Sequence, residues 1–244
     1  MRYKILIVVR GVFFWRGISA TPAQVSCGET VGRTERARYY AQSVQTEMFY
    51  TVYLPPCYDA EERVYPVIYL LHGSDEDDNQ WLRLGLADVL DRGILRGEFP
   101  PLIAVLPFGN WVANENDFGE GSWGDIFLHQ LMPLVESEYR IDTSPGHRAI
   151  GGISRGGFWA FHIALLNPSL FSAVGGHSAF FDLYHAPDEY NPLDLASTAP
   201  GIDSLRIWLD RGAEDYAGEG LDLMHARLVA RGVPHVYIVY PEGT

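Results

Sequence analysis

The feature that most constrains the fold is a short, uninterrupted apolar run that recurs along the chain. Its clearest example is Val67–Leu71, which follows Pro66 and ends at His72-Gly73. A strand that is apolar at every position lies inside a sheet whose two faces are both covered. Further runs of this character are Leu102–Leu106, His147–Ile153, Ala173–Gly176, Leu205–Leu209 and Val236–Tyr240.

Helical patterns separate these runs, at roughly Trp81–Arg96, Asp125–Tyr139, Gly156–Leu166 and Gly218–Arg231. Strands that alternate with such helices predict an α/β fold, with a mostly parallel sheet and helices on both faces. Proline and glycine are dispersed rather than gathered into a linker. We therefore expect one α/β domain, which begins with a strand near Val44 and continues to the last residue.

Charge and composition exclude several classes of partner. The chain carries 18 Lys+Arg against 31 Asp+Glu, a formal net charge of −13. Such acidity disfavours a nucleic-acid partner, because binding to phosphates needs a basic face. No apolar run approaches the roughly 18 residues of a membrane span. Nothing in the pattern indicates an oligomeric state.

The N-terminal segment differs from the rest of the chain. In residues 1–23, Arg2 and Lys4 precede an apolar stretch that is followed by small residues, which is the layout of a secretory signal peptide. The interpretation places the protein outside the cell or in the periplasm, with the cytoplasm as the alternative. In an exported protein Cys27 and Cys57 could pair, and two free thiols remain equally open.

The segment Gly152-Ile153-Ser154-Arg155-Gly156 matches the G-x-S-x-G nucleophile elbow. In that motif a tight turn between a strand and a helix exposes the serine hydroxyl. The glycines are needed because side chains there would collide with neighbouring backbone. An apolar strand precedes the motif and an apolar helix follows it, so we predict that Ser154 is a nucleophile. The alternative is a bystander serine in a glycine-rich turn.

A serine nucleophile needs two backbone N–H donors for the oxyanion. We expect them at Arg155, directly after the serine, and at Ser74, in the loop after the first buried strand. His72 is interpreted as a structural residue that closes that strand. The acidic run Asp75–Asp78 is interpreted as a solvated loop rather than a cation site, and we expect no metal and no cofactor.

The acid of a catalytic triad should follow the strand Leu205–Leu209. Asp210 and Asp215 are the candidates, with Glu214 adjacent, and the residue pattern alone favours neither.

The histidine of a triad should follow the last strand, where none occurs before Thr244. His225 and His235 fall on the wrong side of the sheet, because active sites form at the carboxyl ends of parallel strands. His177 is at the correct edge but precedes the acid, which leaves it as a weaker substitute base.

Several motifs occur together between about Val44 and the last residue. They are Tyr53-Leu54-Pro55-Pro56, Tyr65-Pro66-Val67, Leu70-Leu71-His72-Gly73, Gly151–Gly157 and Gly175-Gly176-His177-Ser178. In combination they resemble the bacterial esterases of the esterase D type, which include feruloyl esterases, S-formylglutathione hydrolases and mycobacterial mycolyltransferases. The resemblance implies an α/β-hydrolase fold with Ser154 as nucleophile.

The resemblance also bears on the acid and the base. The family has its acid in a Gly-x-x-Asp loop, here residues 212–215, which favours Asp215. Its histidine follows the last strand in a Gly-x-His setting, and Glu242-Gly243-Thr244 resembles the approach to it. We therefore hypothesise that the C-terminal part is incomplete and that this chain is weakly active or inactive. Cys57 stands where the family usually has glycine.

The leading hypothesis is a serine carboxylic-ester hydrolase, of feruloyl or acetyl type, that acts through an acyl-enzyme on small or carbohydrate-linked esters. The alternatives are an acyltransferase to a carbohydrate acceptor and a non-catalytic binding protein on a hydrolase scaffold. Four tryptophans either line an aromatic-acid pocket or belong to the core: Trp81, Trp111, Trp123 and Trp159.

Overall fold

One eight-stranded sheet runs through the computed structural model of the protein, which describes residues 27–241. Each apolar run of the sequence forms one of its strands. The strands are β1 (Arg33–Ala41), β2 (Thr46–Leu54), β3 (Val67–Leu71), β4 (Ile103–Phe108), β5 (Arg148–Ile153), β6 (Ala173–His177), β7 (Arg206–Gly212) and β8 (His235–Tyr240).

The strand order is β1-β2-β4-β3-β5-β6-β7-β8. The pairs β1–β2 and β2–β4 are antiparallel, whereas every pair from β4 through β3 to β8 is parallel. The carboxyl ends of six strands therefore meet at one edge of the sheet, where loops can assemble a site. The predicted mostly parallel sheet is confirmed.

Helices connect the strands, and one of them contains a π turn, Phe127–Leu131. The α-helices are α1 (Gln80–Arg83), α2 (Leu86–Leu95), α3 (Trp123–Ile126), α4 (Met132–Glu138), α5 (Arg155–Leu166), α6 (Pro192–Thr198) and α7 (Gly218–Arg231). Short 3-10 turns lie at Tyr58–Ala60, Val112–Asn114, Pro145–His147, Pro168–Leu170 and Ile202–Ser204.

The sheet separates two hydrophobic layers. In β3, Val67, Tyr69 and Leu71 pack into the larger cluster, whereas Ile68 and Leu70 pack into the smaller one. Helices α3 to α7 cover the first face and α1 with α2 cover the second. Because successive side chains of a strand point to opposite faces, a strand buried on both faces must be apolar throughout.

Cys27 and Cys57 form a disulfide, which decides between the two alternatives that the sequence left open. Cys57 has φ 67°, in the left-handed region that favours glycine, so the turn has the conformation expected at a family glycine. The predicted signal peptide, residues 1–23, and the segment 242–244 lie outside the described residues. No helix within residues 27–241 is long and apolar enough to cross a bilayer.

Candidate active site

Ser154 lies in the sharp bend between β5 and α5. Its backbone has φ 52° and ψ −120°, a conformation that costs energy for any residue with a side chain. A Cβ at Gly152 would lie 2.1 Å from the carbonyl oxygen of Gly156. A Cβ at Gly156 would lie 2.4 Å from the carbonyl oxygens of both Leu71 and His72. The glycines of the motif therefore allow the helix to approach the sheet closely.

Neighbouring backbone holds the bend in place. The Ser154 N–H donates to the His177 carbonyl at 3.1 Å, and the Phe180 N–H donates to the Ser154 carbonyl at 3.0 Å. The Ser154 hydroxyl forms a short hydrogen bond with the hydroxyl of Tyr216. Because the main chain is fixed on both sides, the direction of this side chain is set by the fold.

The hydroxyl opens into a crevice of about 800 Å³ at the carboxyl edge of the sheet. Three residues predicted from the sequence, Ser74, Ser154 and Arg155, line it together. The other lining residues are Gly73, Asp75, Glu76, Gln80, Asn114, Asn116, Ile153, Ser178, Phe180, His185 and Tyr216.

The two residues predicted to supply oxyanion amides, Ser74 and Arg155, both line the crevice beside the serine. Arg155 is the first residue of α5, where the helix leaves its N–H groups without intrahelical partners. The neighbouring amide of Gly73 donates to Gln80 Oε1 at 2.9 Å and is therefore engaged, and the next residue of that loop is Ser74. Ser74 is exposed to solvent at the crevice.

The Arg155 side chain is buried and points away from the serine into the loop after β4. Its guanidinium donates to the carbonyl oxygens of Ala113 at 3.0 Å and Glu115 at 2.6 Å, and to Asn116 Oδ1 at 2.8 Å. Burial lowers its pKa to about 10, which leaves it charged at neutral pH. The residue after the serine thus joins α5 to one wall of the crevice.

His72 is structural, as the sequence suggested. The amide of Gly109 donates to its Nε2 at 2.9 Å, and its Nδ1 lies 2.6 Å from the Gly73 carbonyl. Burial lowers the pKa of His72, which keeps the ring neutral.

The acidic run is solvated at its start and buried at its end, which corrects the expectation for Asp78. Asp75 is exposed, whereas Asp78 is 1% exposed and accepts hydrogen bonds from Arg36 at 2.6 Å and Thr51 at 3.0 Å. These two partners come from β1 and β2, so Asp78 fastens the loop to the antiparallel part of the sheet.

The two candidate acids differ in what they bind. Asp210 is fully buried, pairs with His177 Nδ1 and accepts from Trp208 Nε1 at 2.9 Å. Asp215 lies in the loop after β7, where its Oδ1 accepts from the Ala217 amide at 2.9 Å. The carboxylate of Asp210 is therefore engaged within the sheet, whereas Asp215 immediately precedes Tyr216, which reaches the serine.

No histidine within residues 27–241 lies within hydrogen-bond distance of the Ser154 hydroxyl. His177 contacts Asp210, as above, and His225 Nδ1 lies 2.7 Å from His235 Nε2. That histidine pair joins α7 to the start of β8, at the amino-terminal end of the strand. His225 and His235 therefore lie away from the carboxyl edge of the sheet, as the sequence analysis expected.

Tyr216 is the contact that sequence reasoning missed. Its side chain is exposed, and it follows the Gly-x-x-Asp loop without any motif of its own. The one feature of the sequence that could have indicated this contact is the position of Tyr216 directly after Asp215.

The tryptophans divide between the core and the surface. Trp81, Trp123 and Trp159 are buried in the two clusters, and Trp111 is half exposed. None of the four lines the crevice. Within the described residues, one cluster consists of side chains of the types that bind metals, namely Cys27, Glu29 and Cys57. Its two cysteines are joined to each other in the disulfide.

The fold and the bend together define the class: this is an α/β-hydrolase fold. Two solved structures support the assignment. A ferulic acid esterase has a TM-score of 0.79 at 24% identity over 87% of this chain and 91% of its own. The ferulic acid esterase of Anaeromyces mucronatus has a TM-score of 0.75 at 21% identity, over 93% and 89%.

The chain belongs to the Esterase family, described as "Putative esterase", whose profile matches residues 41–241. Among curated proteins, an esterase of Mycobacterium tuberculosis, Esterase MT1326, is 33% identical over 52% of this chain. The endo-1,4-beta-xylanase/feruloyl esterase of Xylanibacter ruminicola is 28% identical over 59% of this chain. The matches span 28% and 21% of these relatives' own lengths.

Proposed function

We propose that this protein is a serine carboxylic-ester hydrolase that acts through an acyl-enzyme on Ser154. The observation that carries the proposal is the strained bend, which presents a hydroxyl to a crevice that Ser74 and Arg155 also line. Family membership supports the same reaction type. Binding of substrate and formation of the oxyanion would both use this one crevice.

In the proposed mechanism the Ser154 oxygen attacks the ester carbonyl carbon and its proton passes to a base. The amides of Ser74 and Arg155 bind the oxyanion, assisted by the positive end of the α5 dipole. The intermediate collapses, the carbon–oxygen bond to the alcohol breaks, and the departing oxygen takes the proton. Water then attacks the acyl-enzyme by the same route and releases the acid.

Asp215 is proposed to orient the base, a histidine that follows β8. The Asp215 loop and the end of β8 are adjacent, because the Ala213 amide donates to the Tyr240 carbonyl at 2.8 Å. A histidine that enters just after β8 would therefore arrive beside Asp215. The Asp210–His177 pair has its own partners and stays structural in this proposal.

We propose esters of aromatic or small acids as substrates. Phe180, His185 and Tyr216 give one part of the crevice an aromatic lining. The Anaeromyces mucronatus enzyme has been solved with ferulic acid, and a Clostridium thermocellum feruloyl esterase module with sinapinate. The disulfide favours an exported protein, since such bonds persist in oxidising compartments.

Hydrolysis of 4-nitrophenyl acetate and methyl ferulate tests this function. The assay compares the chain with a version extended past Thr244, each with and without Ser154→Ala. We expect low turnover from the chain, faster turnover from the extended version, and a loss of about 10³-fold or more in kcat on removing the serine. Equal rates with and without the serine would reject the proposal. Inactivity of the extended version would favour a non-catalytic binding protein, and ester products with added sugars would favour acyl transfer.

A further inference from the structure

A hydrogen-bonded pair joins the ends of the two strands that follow the serine in the sheet. His177, the last residue of β6, is the register partner of Asp210 on β7, and its Nδ1 is bonded to Asp210 Oδ1. The other carboxylate oxygen of Asp210 accepts from Trp208 Nε1 at 2.9 Å. Asp210 is fully buried, so the loss of either donor would leave a buried oxygen unsatisfied, which is costly.

The same pair holds the segment that follows β6, residues 178–180, which we call the β6 turn. The amide of Ser178 donates to the Asp210 carbonyl at 2.8 Å. Ser178 has φ 48°, in the left-handed region, and a residue with a side chain keeps such a conformation only where neighbouring contacts hold it. Asp210 supplies these contacts twice, since its carboxylate fixes His177 and its carbonyl fixes Ser178.

The β6 turn and His177 in turn hold the serine on both sides. The Ser154 N–H donates to the His177 carbonyl at 3.1 Å, and the Phe180 N–H donates to the Ser154 carbonyl at 3.0 Å. The middle residue of the turn lies against α5, because a Cβ at Gly157 would lie 2.4 Å from the Cβ of Ala179. The position of the Ser154 bend therefore depends on a segment whose own position depends on the buried pair.

The pair acts at a distance from the reacting oxygen. The residues that line the crevice include neither His177 nor Asp210, and the Ser154 hydroxyl is bonded to Tyr216. A general base must come within hydrogen-bond reach of the proton that it takes. The route from the pair to the reaction is therefore the backbone of the β6 turn.

Building on the proposed function, we infer that Asp210 and His177 are positioning residues for the Ser154 nucleophile. Their hydrogen bond keeps the β6 turn, and through it the Ser154 bend, at the angle from which the oxygen attacks the ester carbonyl. Attack needs the reacting atoms about 3–3.5 Å apart, and a misplacement of about 1 Å can cost about 100-fold in rate. Loss of the pair should therefore slow acylation and leave binding of the ester unchanged.

Pre-steady-state release of 4-nitrophenol from 4-nitrophenyl acetate tests this role in the version extended past Thr244. Its dependence on ester concentration gives the maximal rate of acylation and the half-saturating concentration separately. His177→Phe keeps a ring but removes the donor to Asp210. We expect the maximal rate to fall by about tenfold to 100-fold, with the half-saturating concentration within about twofold of the parent. His177→Asn keeps a side-chain N–H close to the position of Nδ1, so its rate should stay within about threefold of the parent.

Tyr53→Phe is the matched control, because it also removes one donor from a buried carboxylate. The Tyr53 hydroxyl donates to Asp91 Oδ1 at 2.7 Å, and the Gly32 amide donates to the same oxygen at 2.8 Å. This pair joins β2 to α2 and has no part in the β6 turn. We expect Tyr53→Phe to lower stability in urea about as much as His177→Phe does and to acylate at the parent's rate. Equal slowing in both variants would overturn the inference, because a general loss of stability would then explain it.

Three further results would overturn the positioning role. They are unchanged acylation in His177→Phe, equal slowing in His177→Asn, and a change confined to the half-saturating concentration. Should His177→Phe fail to fold, Asp210→Asn takes its place, since an amide has one acceptor oxygen where the carboxylate has two. Its maximal rate should fall by about threefold to tenfold, and an unchanged rate would overturn the inference.

Ser154→Ala distinguishes this failure from a failure of the proposed function. Release of 4-nitrophenol at the parent's rate without the serine rejects the proposed function and the positioning role together. Acylation that requires Ser154 but is unaffected by His177→Phe rejects the positioning role alone.

Discussion

At the scale of single residues, the candidate site depends on a serine whose backbone is held in a strained conformation. The hydrogen bonds to the His177 carbonyl and from the Phe180 amide fix the two peptide groups around it. Strain of this kind persists only where the surroundings over-determine it, and it concentrates at functional sites. The hydroxyl is consequently oriented before any substrate arrives, which lowers the entropic part of the barrier to attack.

In the free protein the Ser154 hydroxyl is hydrogen-bonded to Tyr216, and a substitution at Tyr216 tests what this bond does to the nucleophile. Its ring is 71% exposed, so few contacts hold it, and its hydrogen bond occupies the Ser154 oxygen. Removing an interaction made only in the ground state should raise kcat/KM. We expect Tyr216→Phe to increase kcat/KM for 4-nitrophenyl acetate by about twofold to tenfold, the value of one net hydrogen bond.

Tyr40→Phe is the control for this prediction, since Tyr40 is an exposed ring on β1 without a contact to the serine and its substitution should not change the rate. Unfolding in urea should be unaffected in both variants. A tenfold loss of kcat/KM in Tyr216→Phe would show instead that the phenol acts in the transition state.

Single residues also show what could be read from the sequence. Ser154 and its glycines form a local motif, so spacing alone identified the bend. The partners of Asp210 could not be identified in that way. His177 on β6 reaches it through the register of two parallel strands, and Trp208 reaches it because it lies two residues earlier on the same face of β7. The roles of Asp215 and of the two oxyanion amides stay predictions.

At the scale of elements, the close approach of α5 to β3 is the contact that shapes the site. Gly156 lies against the end of β3, and an added Cβ would meet two backbone carbonyls. Backbone cannot move aside as a flexible side chain can, so the helix would have to shift. The amide of Arg155 and the Ser154 bend would shift with it.

Gly156→Ala should therefore destabilise the protein by about 2–4 kcal/mol and reduce esterase activity. Gly146→Ala is the matched control, because a Cβ there meets nothing within 4 Å and should cost less than about 0.5 kcal/mol. Urea unfolding followed by circular dichroism measures both. Equal stability of the two variants would mean that α5 is not closely packed at Gly156.

Strands that are buried on both faces were predictable from their apolar runs, whereas the edge strand β1 was not. Strand β1 has an alternating charged sequence and lies at the edge of the sheet, so its pattern lacks the apolar run. The helix predicted over Asp125–Tyr139 contains a π turn at Phe127–Leu131. Pro133 explains the irregularity, since it has no N–H to donate to the preceding turn.

At the scale of the whole molecule, the buried His162 and the half-buried His185 couple stability to pH. Burial lowers the pKa of His162 to about 4, and of His185 to about 4, from an ordinary value of 6.5. Arg155 lowers both further through its charge. Both rings are thus neutral in the native state at pH values where the unfolded chain would bind a proton.

Stability should therefore be constant above about pH 6.5 and fall as the pH is lowered from 6.5 towards 4, because the unfolded state then binds more protons. We expect a loss of about 2–3 kcal/mol from His162, the more deeply buried ring. Urea unfolding at pH 7.5, 6.5, 5.5 and 4.5 measures the profile. His162→Asn should flatten it, and a slope unchanged by that substitution would contradict the assignment.

Acylation of the serine tests the central claim most directly. The version extended past Thr244 is mixed with 4-nitrophenyl acetate, quenched in acid within milliseconds to seconds, digested, and examined by mass spectrometry for the acetyl group. The account predicts an acetylated peptide that contains Ser154, and none in the Ser154→Ala protein. An acetyl group carried by another residue while the ester is turned over, or equal acetylation without the serine, would contradict it.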